Sequence, residues 1–524
     1  MYDIIIRNGL VVDGTGKEKF PADVAVKDGK IAKIGKLLWA RSEKEIDADG
    51  KIVAPGIVDI HNHSDAYWRI FLDPQLPSLI YQGVTTIVGG NCGASIAPLT
   101  SGKIIESVQK WVDIRQVNVN WLSLGEFREE MEKRKFGLNF GTLVGHGTLR
   151  RGVIGDDMRK MNEGELDIAR NLLVKSLMDG ALGFSVGLAY SHERDVTWHE
   201  LKEFAMFTKH QEKIFSVHLR NEGENILAAL DEILELAAET QVSLQISHFK
   251  VMGERNWPLA SEALQKIEDA QKSGVDVSFD VYPYTETGSV LYIYLPTWAA
   301  EGGKRMLLRR LKEKHFRAKI IAEMREGAQY HYENAIIAMS ALDKSLPERK
   351  IEKIAEARGV SVEDVIVDLL IASDGRVVTL LDCLDEENVK TAIKHPLSII
   401  ASDGAGYNIG HSETGEIVHP RCFGTFPKVL GKYVREEKLL SLEEAIKKMT
   451  SLPAKKAGIK ERGILQKGYK ADIMVFDPEK IAGHATAENP YQYGEGISEV
   501  MVNGKLVLKQ RNLTGEMAGE FIAN

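Results

Sequence analysis

Two histidines at the end of an apolar segment are the first residues of this chain that suggest metal chemistry. His61 and His63 directly follow the run GIVDI at 56–60. In an extended strand, residues i and i+2 point to the same side, so both imidazoles can reach one ion. The pattern predicts half of a metal site at the end of a strand. Two polar surface histidines would have the same spacing, so this motif alone does not decide between the two readings.

Residues of similar chemistry follow other apolar runs along the chain. In barrels of parallel strands, the active site lies at the carboxyl ends of the strands. The residues at those predicted ends that can bind a metal or move a proton are His61 with His63, Asn91 with Cys92, His146, Ser185 with Tyr190, His218, His248 with Lys250, Tyr282, and Asp403. A single such histidine is more often structural, but separate structural roles at most of the strand ends would be a rare coincidence. The pattern predicts a catalytic rim.

Ligand chemistry divides these residues into two predicted metal sites. Zinc favours thiolate and imidazole, and Cys92, His218 and His248 would leave one coordination position open, as catalytic zinc sites do. A second, weaker site would use His61, His63 and Asp403, with Cys92 or a hydroxide shared between the two. The alternative for Cys92 is a small buried apolar side chain. Its place in the glycine-rich turn GGNCG favours the ligand role.

The segments that must position these residues alternate between strands and helices. Eight apolar runs are predicted strands: APGIVDI, GVTTIVGG, LNFGTLVG, ALGFSVG, KIFSVH, SLQISH, DVSFDVY and LSIIAS. Helical stretches such as NILAALDEILELAAETQ separate them, which favours βα units and a parallel sheet. Eight strands close a (β/α)8 barrel, so the predicted fold class is α/β with a distorted TIM barrel. A doubly wound open sheet is the alternative.

The two ends of the chain differ from the middle in their pattern of strands and turns. Short strands joined by Asn-Gly and Asp-Gly turns fill both ends and predict one small β-sandwich built from the two termini. The predicted limits are 1–54 for the first part of the sandwich, 55–455 for the barrel and 456–524 for the second part. Within the barrel, 285–348 is rich in Lys and Arg and is predicted to be an inserted subdomain or lid.

Composition narrows the choice of partners. The formal net charge of −8 and the pI of about 6.0 predict no binding to nucleic acid or to an anionic membrane. Small molecules, or copies of the same chain in a homo-oligomer, are the expected partners. Three cysteines in 524 residues are too few for a disulfide framework, which favours a reducing cytoplasm. Neither a signal peptide nor a membrane-spanning run is expected.

The chain resembles a known family over essentially its full length. It is similar to the amidohydrolase superfamily and, within it, to the N-acyl-D-amino-acid deacylases, or D-aminoacylases. The matching segments are PGIVDIHNHSD, GVTTIVGGNCGASIAP, LVGHGTLR, GALGFSVGLAY, VHLRNEG, ISHFK, DVYPYT, ASDGAG, HPRCFGTFPKVLGKYVRE and KMTSLPAKKAGIKERGILQKGYKADIMVFDP. The resemblance implies a zinc-dependent hydrolase of linear amides. It also implies that Cys92 takes the bridging position that many superfamily members give to a carbamylated lysine.

The resemblance also implies a role for each matching residue. Cys92, His218 and His248 would hold the tight zinc, and the other set the second ion, with Asp403 also serving as catalytic acid/base. A cation is needed for the α-carboxylate of the substrate, because a guanidinium pairs with a carboxylate through two hydrogen bonds. The expected substrate-binding residues are Arg421, Lys250, Tyr282, Ser289, His146 and Tyr190.

Substrate preference is predicted from what the pocket segment lacks. After DVYPYTETGS the chain continues VLYIYLPTWAA, with no basic residue before Lys304, so neutral, apolar side chains are expected. One loop departs from the family pattern: GLAY is followed by SHERDVTWHEL instead of a Pro-Gly turn. His192 and Glu193 would then alter the substrate opening, or the loop would simply lead into a helix capped at Thr197 with Glu200.

Two other functions remain open from the sequence. A cyclic amidase of the hydantoinase or dihydropyrimidinase kind shares the H-x-H strand, the later histidines and the aspartate, but such enzymes use a bridging lysine. A noncatalytic scaffold relative would keep the fold and lose ligands, whereas all six predicted ligands are present here. The NCG turn and the HPR segment favour the deacylase.

Overall fold

The fold is centred on a sheet of eight parallel strands, seen in a computed structural model that describes residues 1–100, 119–155, 157, 159–190, 192–326, 331–340 and 345–523. The strands are Ile57–Asp59, Val84–Gly89, Asn139–Gly145, Gly183–Gly187, Ile214–His218, Ser243–Ile246, Val277–Val281 and Ser398–Ile400. Each pairs in parallel with the next along the chain. All eight predicted strands are therefore present, and the predicted fold class is confirmed.

The barrel closes beyond the ends of its first and last strands. Asn62 and Gly404 form an isolated parallel bridge, and the Asp403 amide donates to the His61 carbonyl over 2.9 Å. The rim residues that carry the predicted chemistry thus lie at the seam of the barrel. Nearly every residue of the eight strands is buried, because helices cover the outside and side chains fill the inside. This double burial explains the continuous apolar runs in the sequence.

Helices occupy most of the chain between the strands. The α-helices are Arg69–Leu72, Pro77–Ile80, Leu124–Lys133, His146–Ile154, Glu163–Met178, Trp198–His210, Ile226–Thr240, Leu259–Lys272, Gly303–Lys312, Lys314–Glu326, Ile351–Arg358, Val362–Ala372, Glu386–Lys394, Arg421–Lys428, Leu442–Met449 and Ser451–Lys456. Short 3-10 helices span Glu254–Asn256, Leu291–Tyr294, Thr297–Ala300, Tyr332–Asn334 and Ile409–Thr414, and Val429–Glu436 is a π-helix. No helix in the described ranges combines the length and the apolar character needed to cross a membrane.

Both ends of the chain contribute to one nine-stranded sheet beside the barrel. Its strands are Tyr2–Val11, Phe20–Lys27, Lys30–Gly35, Ser42–Asp47, Ile52–Pro55, Ile473–Phe476, Ile497–Val502, Lys505–Lys509 and Asn512–Leu513. The two halves join where Ile52–Pro55 runs antiparallel to Ile473–Phe476. Ile6, Val24 and Met501 belong to a separate apolar core there. The terminal β-structure forms as the turn pattern predicted.

The long connection between the seventh and eighth barrel strands carries a third, antiparallel sheet. It consists of Glu286–Val290, Val377–Asp382 and Ile336–Ser340, in that spatial order. Its central strand lies beyond residue 348, so this sheet extends past the predicted end of the insertion. As domain limits, the boundaries drawn from the sequence remain predictions.

Candidate active site

Tight turns at the strand ends aim three of the predicted ligands inward. Cys92, His248 and Asp403 all have positive φ angles, of 54°, 34° and 47°. This region of backbone conformation is costly for residues with a Cβ atom and persists only where the surroundings enforce it. Such strain concentrates at functional sites. Other residues far from the site, such as Asn8 and Lys438, share this conformation, so it shows how the turns direct these side chains and does not by itself assign a function.

The ligand atoms of five predicted residues meet in one buried cluster. Cys92 Sγ lies 3.4 Å from His61 Nε2 and 3.5 Å from His248 Nε2. Asp403 Oδ1 lies 3.3 Å from His61 Nε2 and 3.1 Å from His63 Nε2. His61 thus belongs both to a group with Cys92 and His248 and to a group with His63 and Asp403. Two metal positions can share this cluster.

His218 is the sixth predicted ligand, and its ring is buried beside the cluster. Its centroid is 4.4 Å from that of His248, and neither ring nitrogen has a hydrogen-bond partner among the described residues. Buried polar atoms nearly always have a partner, so a metal is a reasonable explanation for this exception. By distance, however, it is His61 that joins Cys92 and His248, whereas the sequence grouped His218 with them. The division of ligands between two ions stays a prediction.

The electrostatics of the cluster favour a thiolate. Burial opposes ionisation of Cys92, but His61 and His248 outweigh it and hold the pKa of the thiol well below its usual value. Burial likewise opposes ionisation of Asp403, yet Arg421 and His61 keep the pKa of this carboxyl well below its ordinary range. Thiolate, carboxylate and imidazole are the donors that zinc prefers. The donor set therefore fits a zinc site.

Two carboxylates that the sequence reading missed orient the histidines. Asp280 Oδ1 lies 3.0 Å from His61 Nδ1, and Glu222 Oε1 lies 3.0 Å from His248 Nδ1. At His61, the carboxylate at Nδ1 fixes the tautomer that leaves Nε2 free for a metal. His248 Nδ1 also lies 2.8 Å from Lys250 Nζ, so Glu222 and Lys250 together position that ring. The sequence signals were present, since Asp280 stands two residues before Tyr282 and Glu222 follows closely in VHLRNEG. Asp280 lies inside the strand Val277–Val281, and Glu222 lies four residues beyond the end of Ile214–His218.

Cations lie beside the cluster, as predicted, although both already have partners. Arg421 Nη1 is 2.7 Å from Asp403 Oδ2, and Lys250 Nζ is 2.7 Å from Glu222 Oε1. The Arg421 guanidinium lies 4.8 Å from the Tyr282 ring centroid. Arg421 Nε and the Tyr282 hydroxyl are buried with no hydrogen-bond partner among the described residues. An incoming carboxylate would satisfy such donors.

These groups open onto one cavity of about 680 Å³. Its lining includes the predicted residues His63, Cys92, Tyr190, His218, His248, Lys250, Ser289, Asp403 and Arg421. His61 lies beneath it in contact with Cys92, and Tyr282 lies next to Arg421. Metal-ligand candidates and cations thus face the same space, which suits a small anionic substrate.

His146 is the predicted site residue that the structure does not bring to this cavity. His146 is the first residue of the helix His146–Ile154, and its fully buried ring packs against Phe184. Nδ1 lies 3.0 Å from Glu193 and Nε2 lies 2.9 Å from Glu200, so both ring nitrogens are occupied. The Glu200 carboxylate also accepts from Arg150. Of the helix cap predicted at Thr197 with Glu200, the structure shows one hydrogen bond, from the Glu200 amide to Thr197 Oγ1. We assign His146 no contact with substrate.

The atypical loop after Tyr190 supports the turn that holds Cys92. Glu193 is buried and accepts from the Gly187 amide over 3.0 Å. A Cβ atom at Gly93 would lie 2.1 Å from Glu193 Oε2, so the two segments are in direct contact. Gly93 also donates from its amide to Ser185 Oγ over 3.1 Å. The loop therefore contributes to the site through this contact, whatever its effect on the opening.

Comparison with known proteins agrees with this geometry. Residues 44–508 match the model of the amidohydrolase family. The chain belongs to the amidohydrolase family. This amidohydrolase is 33% identical over 524 residues to a D-aminoacylase of Alcaligenes xylosoxydans xylosoxydans, with 100% of this chain and 98% of the relative covered.

Solved structures extend the likeness to the whole fold. An N-acyl-D-glutamate deacylase from Bordetella bronchiseptica, complexed with zinc and a phosphonate inhibitor, has a TM-score of 0.84 and 30% identity, with both chains fully covered at 100%. A D-aminoacylase with a binuclear metal center has a TM-score of 0.84 and 32% identity, again at 100% coverage of both chains. An L-hydantoinase from Arthrobacter aurescens has a TM-score of only 0.58 and 19% identity over 100% of both chains, a likeness of fold alone.

Proposed function

We propose that this amidohydrolase hydrolyses the amide bond of N-acyl-D-amino acids to a carboxylate and a free D-amino acid. The observation that carries the proposal is Cys92, whose sulfur lies between His61 and His248 at the centre of the ligand cluster. Cyclic amidases use a lysine at the bridging position, so a cysteine there favours the deacylases. The full-length relatives named D-aminoacylase and N-acyl-D-glutamate deacylase support the same activity.

We infer that zinc is the metal. Cys92, His218 and His248 would hold the tighter ion, and His61, His63 and Asp403 a second, weaker one. The His218 ring nitrogens, which have no hydrogen bond among the described residues, and the depressed pKa of Cys92 support this assignment. When bound, zinc lowers the pKa of a water molecule and polarises a carbonyl. The zinc complex of the Bordetella relative supports the choice of metal.

Asp403 is the proposed catalytic acid/base. Its Oδ1 faces the histidines, while Oδ2 is held by Arg421 at 2.7 Å. The depressed pKa keeps the carboxylate ionised, which is the form that can accept a proton from the attacking water, although it also lowers the basicity of the group. The same carboxyl then returns the proton to the leaving amine. Arg421 fixes the orientation in which Asp403 performs both transfers.

The α-carboxylate of the substrate is proposed to bind Arg421, with Lys250, Tyr282 and Ser289 assisting. Arg421 Nε and the Tyr282 hydroxyl are buried donors without a hydrogen-bond acceptor among the described residues, and a substrate carboxylate would supply one, which supports this assignment. Lys250 and Ser289 line the same cavity. Tyr190 lines it too, with its ring centroid 4.8 Å from that of His218.

Neutral, apolar side chains remain the predicted preference at the centre of this cavity. Met252 and Ile293 contribute apolar lining there, near Gly288. Selectivity for the D enantiomer is proposed from the relatives' names alone. All three cysteines are buried and unpaired, which supports the cytoplasm as the expected compartment.

One panel of substrates tests this function against its rivals. We would measure amine release from N-acetyl-D-leucine, N-acetyl-L-leucine and a hydantoin, each with zinc added, and determine the zinc content of the purified protein. Faster hydrolysis of the D enantiomer is expected. Faster opening of the hydantoin would favour the cyclic amidase, and a protein that neither contains nor regains zinc would favour the scaffold.

A further inference from the structure

A second cavity of about 320 Å³ adjoins the proposed active site and contains an arginine. Tyr190 and Ile293 line both cavities, so they form the boundary between them. Tyr190 also lies against His218, which places the second cavity on the side of the proposed tighter metal site. Leu295 and Pro296 make much of the rest of its wall apolar. Arg194 lines the second cavity and not the first.

The charge of Arg194 is poorly compensated. Its guanidinium donates over 3.2 Å to the carbonyl oxygen of Ala189, and no carboxylate of the described residues lies within 4 Å. Burial lowers the pKa of Arg194, with Tyr292 and Asp195 opposing the shift. Nearby Arg220, by contrast, has a two-pronged ion pair with Glu232. A half-buried cation that faces an apolar cavity without an anion would be stabilised by one from a ligand.

We propose that the second cavity is a subsite for the outer end of the substrate, where Arg194 binds a carboxylate on the acyl chain or on the amino-acid side chain. The inference rests on the proposed deacylase function. Arg194 belongs to the SHERD loop, remote in sequence from the segment that suggested a neutral pocket. A dicarboxylic acyl group, such as succinyl, would be consistent with the predicted preference for neutral amino-acid side chains. Binding of an acidic amino-acid side chain to Arg194 would contradict that preference.

Matched charged and neutral substrates distinguish these two sources. For the acyl chain, kcat/KM is compared for N-succinyl-D-leucine and its terminal amide, N-succinamoyl-D-leucine. For the side chain, N-acetyl-D-glutamate is compared with N-acetyl-D-glutamine. We expect the charged member of one pair to be preferred, and Arg194→Gln to reduce that preference about 10- to 100-fold, as expected for loss of a hydrogen bond to a charged group.

Two further variants serve as controls. Arg194→Lys keeps the charge and should retain part of the preference. Arg309→Gln alters an exposed arginine that pairs with Glu313 and should leave both ratios unchanged.

Each outcome decides the proposal. A lost preference in the succinyl pair assigns the subsite to the acyl chain, and one in the glutamate pair assigns it to the side chain and overturns the neutral preference. Equal losses for charged and neutral substrates, or unchanged ratios in both pairs, contradict the role of Arg194. If the parent protein hydrolyses N-acetyl-D-leucine, such results leave the deacylase function standing. If it hydrolyses no N-acyl-D-amino acid, the function fails and the subsite with it.

Discussion

Replacing Asp280 with Asn tests whether a carboxylate behind the cluster sets the affinity for metal. Asp280 is buried, and its Oδ1 accepts from the His248 amide over 2.8 Å and lies 3.0 Å from His61 Nδ1. Its Oδ2 accepts from Gln245 Nε2 over 2.9 Å. The substitution preserves the shape of the side chain and removes one acceptor and the charge. An oxygen at the Oδ1 position can still accept from His61 and from the His248 amide, so an effect on metal binding reports on the loss of the negative charge behind His61.

The geometry fixes the expected size of the effect. If the Asn oxygen stays at the Oδ1 position, its amide group faces the donor of Gln245, whose own oxygen is occupied by Ser278 at 2.6 Å. Gln245 Nε2 then loses its acceptor and the new Asn amide nitrogen faces it as a second donor, so the free energy of unfolding falls by about 1–3 kcal/mol for each unsatisfied donor. Without a carboxylate at Nδ1, His61 is a poorer ligand. Zinc affinity should fall about 10- to 100-fold, or about 1.4–2.8 kcal/mol.

Competition with a chromophoric chelator measures the zinc affinity of the metal-free protein and of each variant. The matched control is Asp472→Asn, another buried carboxylate, which accepts from Arg462 and from the Asn503 amide in the terminal sheet. We expect this control to lose stability and keep its zinc affinity. If Asp280→Asn binds zinc as tightly as the parent protein, Asp280 does not act through His61 and the reasoning is wrong.

Three further variants probe the site. Asp403→Asn should abolish amide hydrolysis while the protein still binds zinc, and substantial remaining turnover would refute its acid/base role. Arg421→Ala should lower kcat/KM for N-acetyl-D-leucine by about 10- to 100-fold and remove the preference for this substrate over its α-carboxamide; an unchanged preference would show that Arg421 does not bind the α-carboxylate. Gly93→Ala should lower the unfolding free energy in denaturant by about 2–5 kcal/mol, since a Cβ at φ +73° meets Glu193. Gly359→Ala, at φ +64° in the left-handed helical region with open space around it, should lose only about 1–2 kcal/mol, and equal losses for the two would mean that the contact is unimportant.

The barrel was predictable because its strands are buried on both faces. Runs such as KIFSVH and DVSFDVY are apolar without the alternation of a solvent-exposed sheet, and each became a barrel strand. The third sheet was harder to foresee. Its central strand, Val377–Asp382, pairs with Glu286–Val290 across a long stretch of chain. Antiparallel pairing between distant segments leaves no local signature in the sequence.

The same logic located much of the site and also explains what it missed. The residues at the strand ends were predicted to form one rim, and His63, Cys92 and Asp403 do line one cavity. The position of a residue at a strand end does not determine the direction of its side chain. His146 was therefore predicted as well, although its ring packs against Phe184 between strand and helix. The prediction passed over Asp280, because a residue that orients a ligand lies one step behind the rim. Distances among the ligands depend on the turns, which the sequence does not specify.

The measurement that tests the central claim most directly is the rate of amine release from the two enantiomers of N-acetyl-leucine by metal-stripped and zinc-reconstituted protein. The account predicts negligible activity without metal and recovery on zinc addition. It also predicts that the recovered activity favours the D enantiomer and is absent from Asp403→Asn at equal zinc content. Full activity without metal, or reconstituted protein that hydrolyses neither enantiomer, would contradict it.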